Sequence, residues 1–363
     1  MNDDPLQEAL ADESTFTGET DESELQALVS RLQTNILIIG SGGAGNNTLL
    51  RLYKEGMTSL ELLAVNTDAQ HLLNTSVPHR MLIGKVLTKG LGAGSEPNIG
   101  EGAAEEARHE ILEACRDADI VFLTGGLGGG TGTGSLPVIA KLAKESGALT
   151  IAIVTLPFSN EGARRSRNAR IGLEKLRKCA DTVIVIPNDK LLTDEIAQLP
   201  LNLAFRQADE ILGNAIKCMT EITSHSGLVN IDFADMRSIM SSGGVAMIGM
   251  GEGQGANRAT DAVTAALTSP LLELDIEDSK GALVNVTGGD DMTLQEAHEV
   301  VREVHSKINK DARIIWGASI DSTLEHQIRV MLVVTGVKSS QILGPPDGVE
   351  DGMQNKYGID FVH

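Results

Sequence analysis

Gly128-Gly129-Gly130-Thr131-Gly132-Thr133-Gly134 decides how this 363-residue chain is read, because no ordinary packing role calls for five glycines and two threonines in seven positions. Ahead of it, residues 118–124 (Ala-Asp-Ile-Val-Phe-Leu-Thr) read as a short buried strand. Behind it, residues 135–146 carry the apolar spacing of a helix through Val138, Ile139, Leu142 and Ala143. A glycine-rich turn feeding a helix N-terminus gathers backbone N–H groups, and the helix dipole favours negative charge there. Glycine lets the backbone come close to the anion and the threonines offer hydroxyl donors, so the stretch predicts a phosphate site.

Outward from that stretch, strand-like and helix-like segments alternate. Residues 35–39 read as a buried strand, followed by a glycine turn and a helix through about Lys54. The next strand, 60–65, ends at Asn66-Thr67-Asp68, and a short apolar piece at 81–83 leads into the loop 90–97. A helix over about 100–115 and strands over 149–156 and 182–186 complete the pattern. Such alternation predicts a parallel, Rossmann-like α/β sheet with helices on both faces. Ligands in such sheets bind beyond the carboxyl ends of the strands. The unusual loops follow Ile39, Val65, Ile83, Thr124, Leu156 and Ile186, which places all of them at that edge and predicts one composite nucleotide site.

Residues 203–224 keep helical spacing through Ala204, Ala208, Ile211, Ala215, Met219 and Ile222, a helix of about six turns stopped by Gly227. Beyond it, strands are expected at 245–250, 282–287, 312–316 and 328–334, with helices near 257–268 and 293–308, the latter opened by a Thr293/Glu296 capping box. The expected organisation is an acidic, disordered arm (1–33), a nucleotide-binding domain (34–202), a long central helix (203–227), a smaller α+β domain (228–338) and a linker with a terminal peptide (339–363). Met247 and Met250 are expected to fill the core.

Composition bounds the function. The chain is long enough for two sizeable cores, and with one Trp and two Tyr these must be largely aliphatic. No apolar run reaches the length of a membrane span. The first 33 residues hold nine acids and one base, Arg31, and no signal-peptide core. A net charge of −20 argues against nucleic acid as a partner. Cys115, Cys179 and Cys218 lie far apart in helical patterns and read as buried free thiols of a reducing compartment, and no metal-ligand spacing occurs among the histidines.

The stretch Gly40-Ser41-Gly42-Gly43-Ala44-Gly45 fits a dinucleotide fingerprint after a strand, which keeps an NAD-dependent dehydrogenase open as a reading. Against it, Asn66 stands where that fingerprint places its acid, and no P-loop lysine motif occurs. Two separate phosphate loops, Gly42–Asn47 (Asn46 and Asn47 close the first) and Gly128–Gly134, point to a di- or triphosphate spanned by both. Asn188, expected at an exposed strand tip after Pro187, can hydrogen-bond a purine edge. Phe205 and Asp209 are one helical turn apart, so one can stack on a base while the other accepts from the guanine N1 and N2 donors; adenine lacks that donor pair. Asp232 and Asp235, three apart at the start of a helix-like run, can be helix caps or a pair that polarises water.

These residues together resemble the tubulin superfamily, and within it the FtsZ family of cell-division GTPases, archaeal in type. The glycine-threonine signature is joined by Gly42-Gly43-Ala44-Gly45-Asn46-Asn47, Val65-Asn66-Thr67-Asp68-Ala69-Gln70, Gly90-Leu91-Gly92-Ala93-Gly94, Pro157-Phe158-Ser159-Asn160-Glu161-Gly162, Ile186-Pro187-Asn188-Asp189-Lys190 and Asn230-Ile231-Asp232-Phe233-Ala234-Asp235, in order over residues 35–338. Ser41 and Ser95 depart from it, standing where glycine or cysteine is common. The resemblance implies a tubulin-like fold, GTP/GDP binding with Mg²⁺ held through the phosphates, and a cytoplasmic head-to-tail homopolymer forming the mid-cell division ring. It also implies nucleotide contacts from Asn66, Asp68, Ala93, Gly94, Pro157, Glu161 and Arg165. Asn230, Asp232 and Asp235 would act on the nucleotide of the next subunit. Arg164, Arg167 and Arg170 are expected to form a solvated face. A cell-shape filament of the same superfamily remains a second reading. The archaeal-type tail, with Ile359, Phe361 and Val362 near its end, implies docking to a membrane adaptor of the SepF type, alongside a possible second FtsZ paralogue.

Overall fold

The computed structural model describes residues 34–57, 60–191, 201–224, 229, 231–241, 244–272 and 279–337, with 201–208 and 221–224 described as backbone only. The acidic arm, Gly227, Asn230, the side chain of Phe205 and the terminal peptide therefore lie outside the described residues.

Short apolar runs become the strands β1 (Ile36–Ser41), β2 (Glu61–Asn66), β3 (His79–Leu82), β4 (Ile120–Gly126), β5 (Leu149–Leu156) and β6 (Thr182–Pro187). All are parallel, in the order β3-β2-β1-β4-β5-β6. The helices between them are α1 (Gly42–Lys54), α2 (Ala69–Asn74), α3 (Pro97–Glu106), α4 (Arg108–Ala114), α5 (Thr131–Glu145) and α6 (Ala163–Cys179). Strand ends shift by one or two residues here, as at β3 and β4, and two helices differ more. The helix expected over 100–115 breaks at Ala107, and the one expected from 135 begins at Thr131, inside the glycine run.

The period-2 rule sorts the strand side chains onto two faces. Leu37, Ile39, Val121 and Leu123 pack under α3, α4, α5 and α6, while Ile36, Ile38, Ile120 and Phe122 pack against α1 and the long helix α7 (Leu201–Ser224). Phe122 is fully buried, and cutting it to alanine would cost about 3–5 kcal/mol. Cys115 and Cys218 are buried as expected, whereas Cys179 is half-buried; burial pushes the Cys115 thiol up to about 11.

The second half adds α8 (Phe233–Met240), β7 (Gly244–Gln254), α9 (Arg258–Leu267), β8 (Gly281–Gly288), α10 (Leu294–Lys307), β9 (Arg313–Ile320) and β10 (Gln327–Thr335). The Thr293/Glu296 capping box opens α10, Met247 is buried, and Met250 packs against the core. These strands extend the same sheet instead of building their own. β7 joins β6 in parallel through three register pairs, Thr182↔Gly244, Val183↔Val245 and Ile184↔Ala246, and the order continues β7-β10-β8-β9. Both cores run unbroken across that junction. The buried Arg258 ties the second half together, donating to Glu296 (2.6 and 3.1 Å) and to the Asp291 carboxylate (2.7 Å). The described residues from Asn35 onward form one compact unit.

Candidate nucleotide-binding site

Every strand from β1 to β6 points its carboxyl end at the same edge, and the loops expected to bind phosphate all emerge there. Gly42 follows β1 with φ of +71°, and a side chain on it would sit 3.1 Å from the backbone nitrogen of Gly132, so the two glycine loops lie against each other. Gly128 has φ of +108°, which only glycine adopts without strain. Gly134 serves packing: a methyl group there would collide with Pro97 O at the start of α3 and with Glu101 N (2.5 Å) one turn on. A methyl group on Gly129 would meet nothing within 4 Å, so this part of the cradle stands open.

The first bond of α5 runs from Gly134 N–H to Gly130 C=O (3.0 Å), so the amides of Thr131, Gly132 and Thr133 lead the helix as unsatisfied donors beside the open Gly129. The threonine hydroxyls also hold the loop in place. Thr133 Oγ1 accepts from Gly128 N–H (2.8 Å), fixing the loop and using that amide, and Thr131 Oγ1 shares a hydrogen bond with Thr67 Oγ1 (2.7 Å). Across the first loop, the exposed Gly43 and Asn47 face out, with Ala44 half-buried and Gly45 buried. Asn46 is buried; in the amide orientation that satisfies its surroundings it donates to Gly40 O (2.9 Å) and accepts from Asn66 Nδ2 (3.0 Å), stitching β1, α1 and β2.

Asn66 closes β2, its Oδ1 accepting from Thr67 N–H (2.9 Å) and Asp68 N–H (3.2 Å). That acceptor is spent on the turn, which removes support from a dinucleotide site with an acid at this position. Asp68 in turn caps α2 by accepting from His71 N–H (3.0 Å). Gly92 N–H donates to Thr67 O (3.1 Å), which places buried Ala93 and exposed Gly94 at the same edge, and Ser95 adopts φ of +62°, the left-handed conformation glycine would favour. Pro157 lies beside Gly128, and Glu161 accepts from Phe158 N–H (2.9 Å) while pairing with Arg165. Of the neighbouring arginines, Arg164 pairs with Glu96, and Arg167 and Arg170 are exposed.

Asn188 corrects an expectation. It is buried, not exposed, because the chain turns inward through a short helical turn after β6. Its Oδ1 is among the few buried side-chain atoms with no hydrogen-bond partner in the described residues, as is Thr124 Oγ1 at the end of β4. An unpaired buried amide oxygen costs about 1–3 kcal/mol, and a donor from a ligand would relieve it.

Asp209, on α7, shares a hollow of about 380 Å³ with Asn47, Leu50, Arg51, Lys54 and Glu55. The hollow joins a phosphate-loop residue to the carboxylate expected to read the base. Burial raises the Asp209 carboxyl to about 6, with Arg51 opposing the shift. At neutral pH it is mainly ionised, an acceptor only.

Asp232 and Asp235 lie elsewhere. Asp232 caps α8, its Oδ1 accepting from Asp235 N–H (2.6 Å). α8 is strapped to the amino ends of the strands: Arg237 donates to Gly147 O (3.2 Å) just before β5, and Thr182, the first residue of β6, donates to Met240 O. β5 spans eight residues, so at roughly 3.3 Å per residue its two ends are about 23 Å apart. The aspartates therefore stand at the opposite edge of the sheet from the glycine loops.

Sequence reasoning missed Thr67, His71 and Asn168. His71 Nδ1 lies 3.4 Å from Asn66 Nδ2, and Asn168 Nδ2 donates to Ser95 O (3.2 Å) and Gly128 O (3.4 Å), tying two loops of the site to α6. Thr67 and His71 stood inside or next to a motif already singled out, whereas nothing near Asn168 in the sequence marks it.

Known proteins match this arrangement along nearly its whole length. Residues 35–194 match the model of the Tubulin/FtsZ family GTPase domain, and residues 244–338 that of the FtsZ family C-terminal domain. Cell division protein FtsZ 1 of Archaeoglobus fulgidus is 54% identical over 341 residues, 94% of this chain and 92% of that protein. Its namesake in Methanocaldococcus jannaschii is 51% identical over 319 residues, 88% of this chain and 87% of that one. The solved structure of an empty M. jannaschii FtsZ dimer superposes with a TM-score of 0.83 at 52% identity, covering 86% of this chain and 91% of that one. CetZ2 from Haloferax volcanii, at 23% identity and a TM-score of 0.72 over 85% of this chain and 95% of that one, shares the fold. Two family domains in order and half the residues in common leave one conclusion: the chain belongs to the Tubulin/FtsZ family, and within it to FtsZ.

Proposed function

We propose that this chain binds GTP across the crescent of loops at the carboxyl edge of its sheet and hydrolyses it when a second copy docks its α8 edge onto that crescent. The observation that carries this reading is that the glycine loops follow the carboxyl ends of the strands while α8, which carries the aspartates, is strapped to their amino ends, a span of about 23 Å along β5. One subunit holds the phosphate cradle at one edge and the water-activating carboxylates at the other. Stacking the first edge on the second is a heterologous contact that leaves both ends of the pair open, so it propagates as a polar filament.

Within one subunit, the leading amides of α5 and the first glycine loop hold the phosphates by hydrogen bonding and dipole. Ala93, Gly94 and Pro157 shape the cradle, and Asp68, Glu161 and Arg165 lie at its rim. A Mg²⁺ ion held through the bound phosphates would supply the charge neutralisation that a P-loop lysine gives in other NTPases. Asn188 Oδ1 and the Asp209 carboxylate accept the guanine N–H donors, and Phe205 supplies the stacking face. From the neighbouring subunit, Asp235 orients and polarises the attacking water, with Asp232 holding the helix that presents it and Asn230 assisting. Hydrolysis thereby follows assembly, as suits a filament of the mid-cell division ring. The terminal peptide, with Ile359, Phe361 and Val362 near its end, engages a SepF-type membrane adaptor. A second FtsZ paralogue would share the ring.

GTP turnover per subunit, measured as protein concentration rises, tests the shared site. Turnover should be near zero below a threshold at which GTP is already bound, then climb to a plateau. A specific activity that stays constant on dilution far below any assembly threshold would refute it.

A further inference from the structure

The carboxylate of Asp235 is held by a residue that no motif marks. Arg313, the first residue of β9, donates from Nη2 to Asp235 Oδ1 (2.8 Å) and from Nη1 to Ser238 Oγ, one turn further along α8. The base of that side chain is rigid: Arg313 pairs in register with Gly281 of β8, and its N–H donates to Lys280 O (3.2 Å). The pair is too exposed to matter much for stability. Arg313 is 57% and Asp235 41% accessible, and ion pairs at such positions contribute little. Its effect is geometric. The guanidinium fork serves two acceptors on one face of α8, and this restricts Asp235 to one rotamer. Asp232 Oδ1 is already engaged by the Asp235 amide, and Asp235 Oδ1 by Arg313. Asp235 Oδ2 has no partner among the described residues, so it is the oxygen left to meet a water.

We propose that Arg313 is a positioning residue for hydrolysis, holding Asp235 Oδ2 toward the incoming subunit's nucleotide while touching neither substrate nor water itself. This rests on the reading of Asp235 given above. An unrestrained aspartate divides among three staggered χ1 wells, so releasing it lowers the productive population about threefold.

The test measures GTP turnover against protein concentration for Arg313→Ala, Arg313→Lys, Asp235→Asn and the Arg313→Ala/Asp235→Asn double variant of the full chain. Each curve yields a threshold for assembly and a plateau turnover per subunit. Arg313→Ala should lower the plateau about threefold and leave the threshold within twofold. Arg313→Lys should recover at least half of the loss, and Arg313→Ala should have no further effect once Asp235 is replaced. A wild-type plateau in Arg313→Ala overturns the proposal. So does a loss confined to a raised threshold, or one that persists in full in the Asp235→Asn background. Normal turnover in Asp235→Asn instead brings down the underlying reading of Asp235, an outcome distinct from failure of Arg313 alone.

Discussion

Replacing Asp209 with asparagine separates what this carboxylate costs the empty protein from what it contributes to guanine binding. Its folded-state value of about 6 lies above the ordinary value of 3.8 because burial strips water from the ionised form. Between those limits the folded protein holds a proton that the unfolded chain releases. Wild-type stability is therefore full below pH 3.8 and declines as pH rises through 6. The difference of roughly 2 units, at 1.36 kcal/mol each, sets an upper bound of about 3 kcal/mol. The amide of the Asp209→Asn variant carries no charge at any pH and escapes that loss. Urea unfolding of nucleotide-free protein should show the variant gaining on wild type, from about zero near pH 4 to about 2–3 kcal/mol at pH 8. GTP should reverse the order, because an amide presents a donor where guanine needs acceptors, and the variant should shift its preference from GTP toward XTP. A gap between the proteins that does not grow with pH would refute the burial argument. An unchanged GTP-to-XTP preference would remove Asp209 as the base reader.

Three further substitutions probe other parts of the argument. Gly134→Ala drives a methyl group into backbone at the start of α3 and should cost about 3 kcal/mol, seen as a fall of several degrees in Tm. Arg258→Met leaves Glu296 without its main partner; hydrogen bonding from Arg258 holds that carboxyl down at about 2, so wild type has the stabilisation above pH 4.5 and loses it as pH falls toward 2. The variant should be about 3 kcal/mol less stable at pH 7 and lack that acid-side slope in chemical unfolding. Asp232→Ala removes the cap of α8 and should cost about 1 kcal/mol, read as faster amide exchange in that helix, together with a large loss of GTP turnover and retained GTP binding.

What was legible in the sequence follows from the range of the forces involved. Apolar runs of strand length bounded by glycine turns located β1, β2, β4, β5 and β6, because burial on both faces of a parallel sheet leaves a continuous signature. Local chemistry also revealed the Thr293/Glu296 box. The start of α5 was illegible because glycine and threonine are poor helix formers; packing against α3, with Gly134 at the contact, imposes the helix there. Asn188 was misplaced for a related reason: Pro187 suggests an exposed tip, but the fate of the next residue depends on how the chain turns against α7. The roles of Asn168, 40 residues from Gly128, and of Arg313, 78 residues from Asp235, arise only when distant segments meet. No local pattern encodes them.

The three-pair junction between β6 and β7 makes the two family domains inseparable as pieces. Cleaving the chain between them would bare the first half of β6, Thr182–Ile184, as an unpaired edge, and would strip aliphatic cover from both faces of the sheet at the junction. Each fragment would expose apolar surface and free strand edge that the other normally covers. Gene fusions, insertions and split reporters aimed at this molecule belong in its surface turns, and a break between residues 187 and 244 is tolerable only if both pieces are made together and zip along that shared edge.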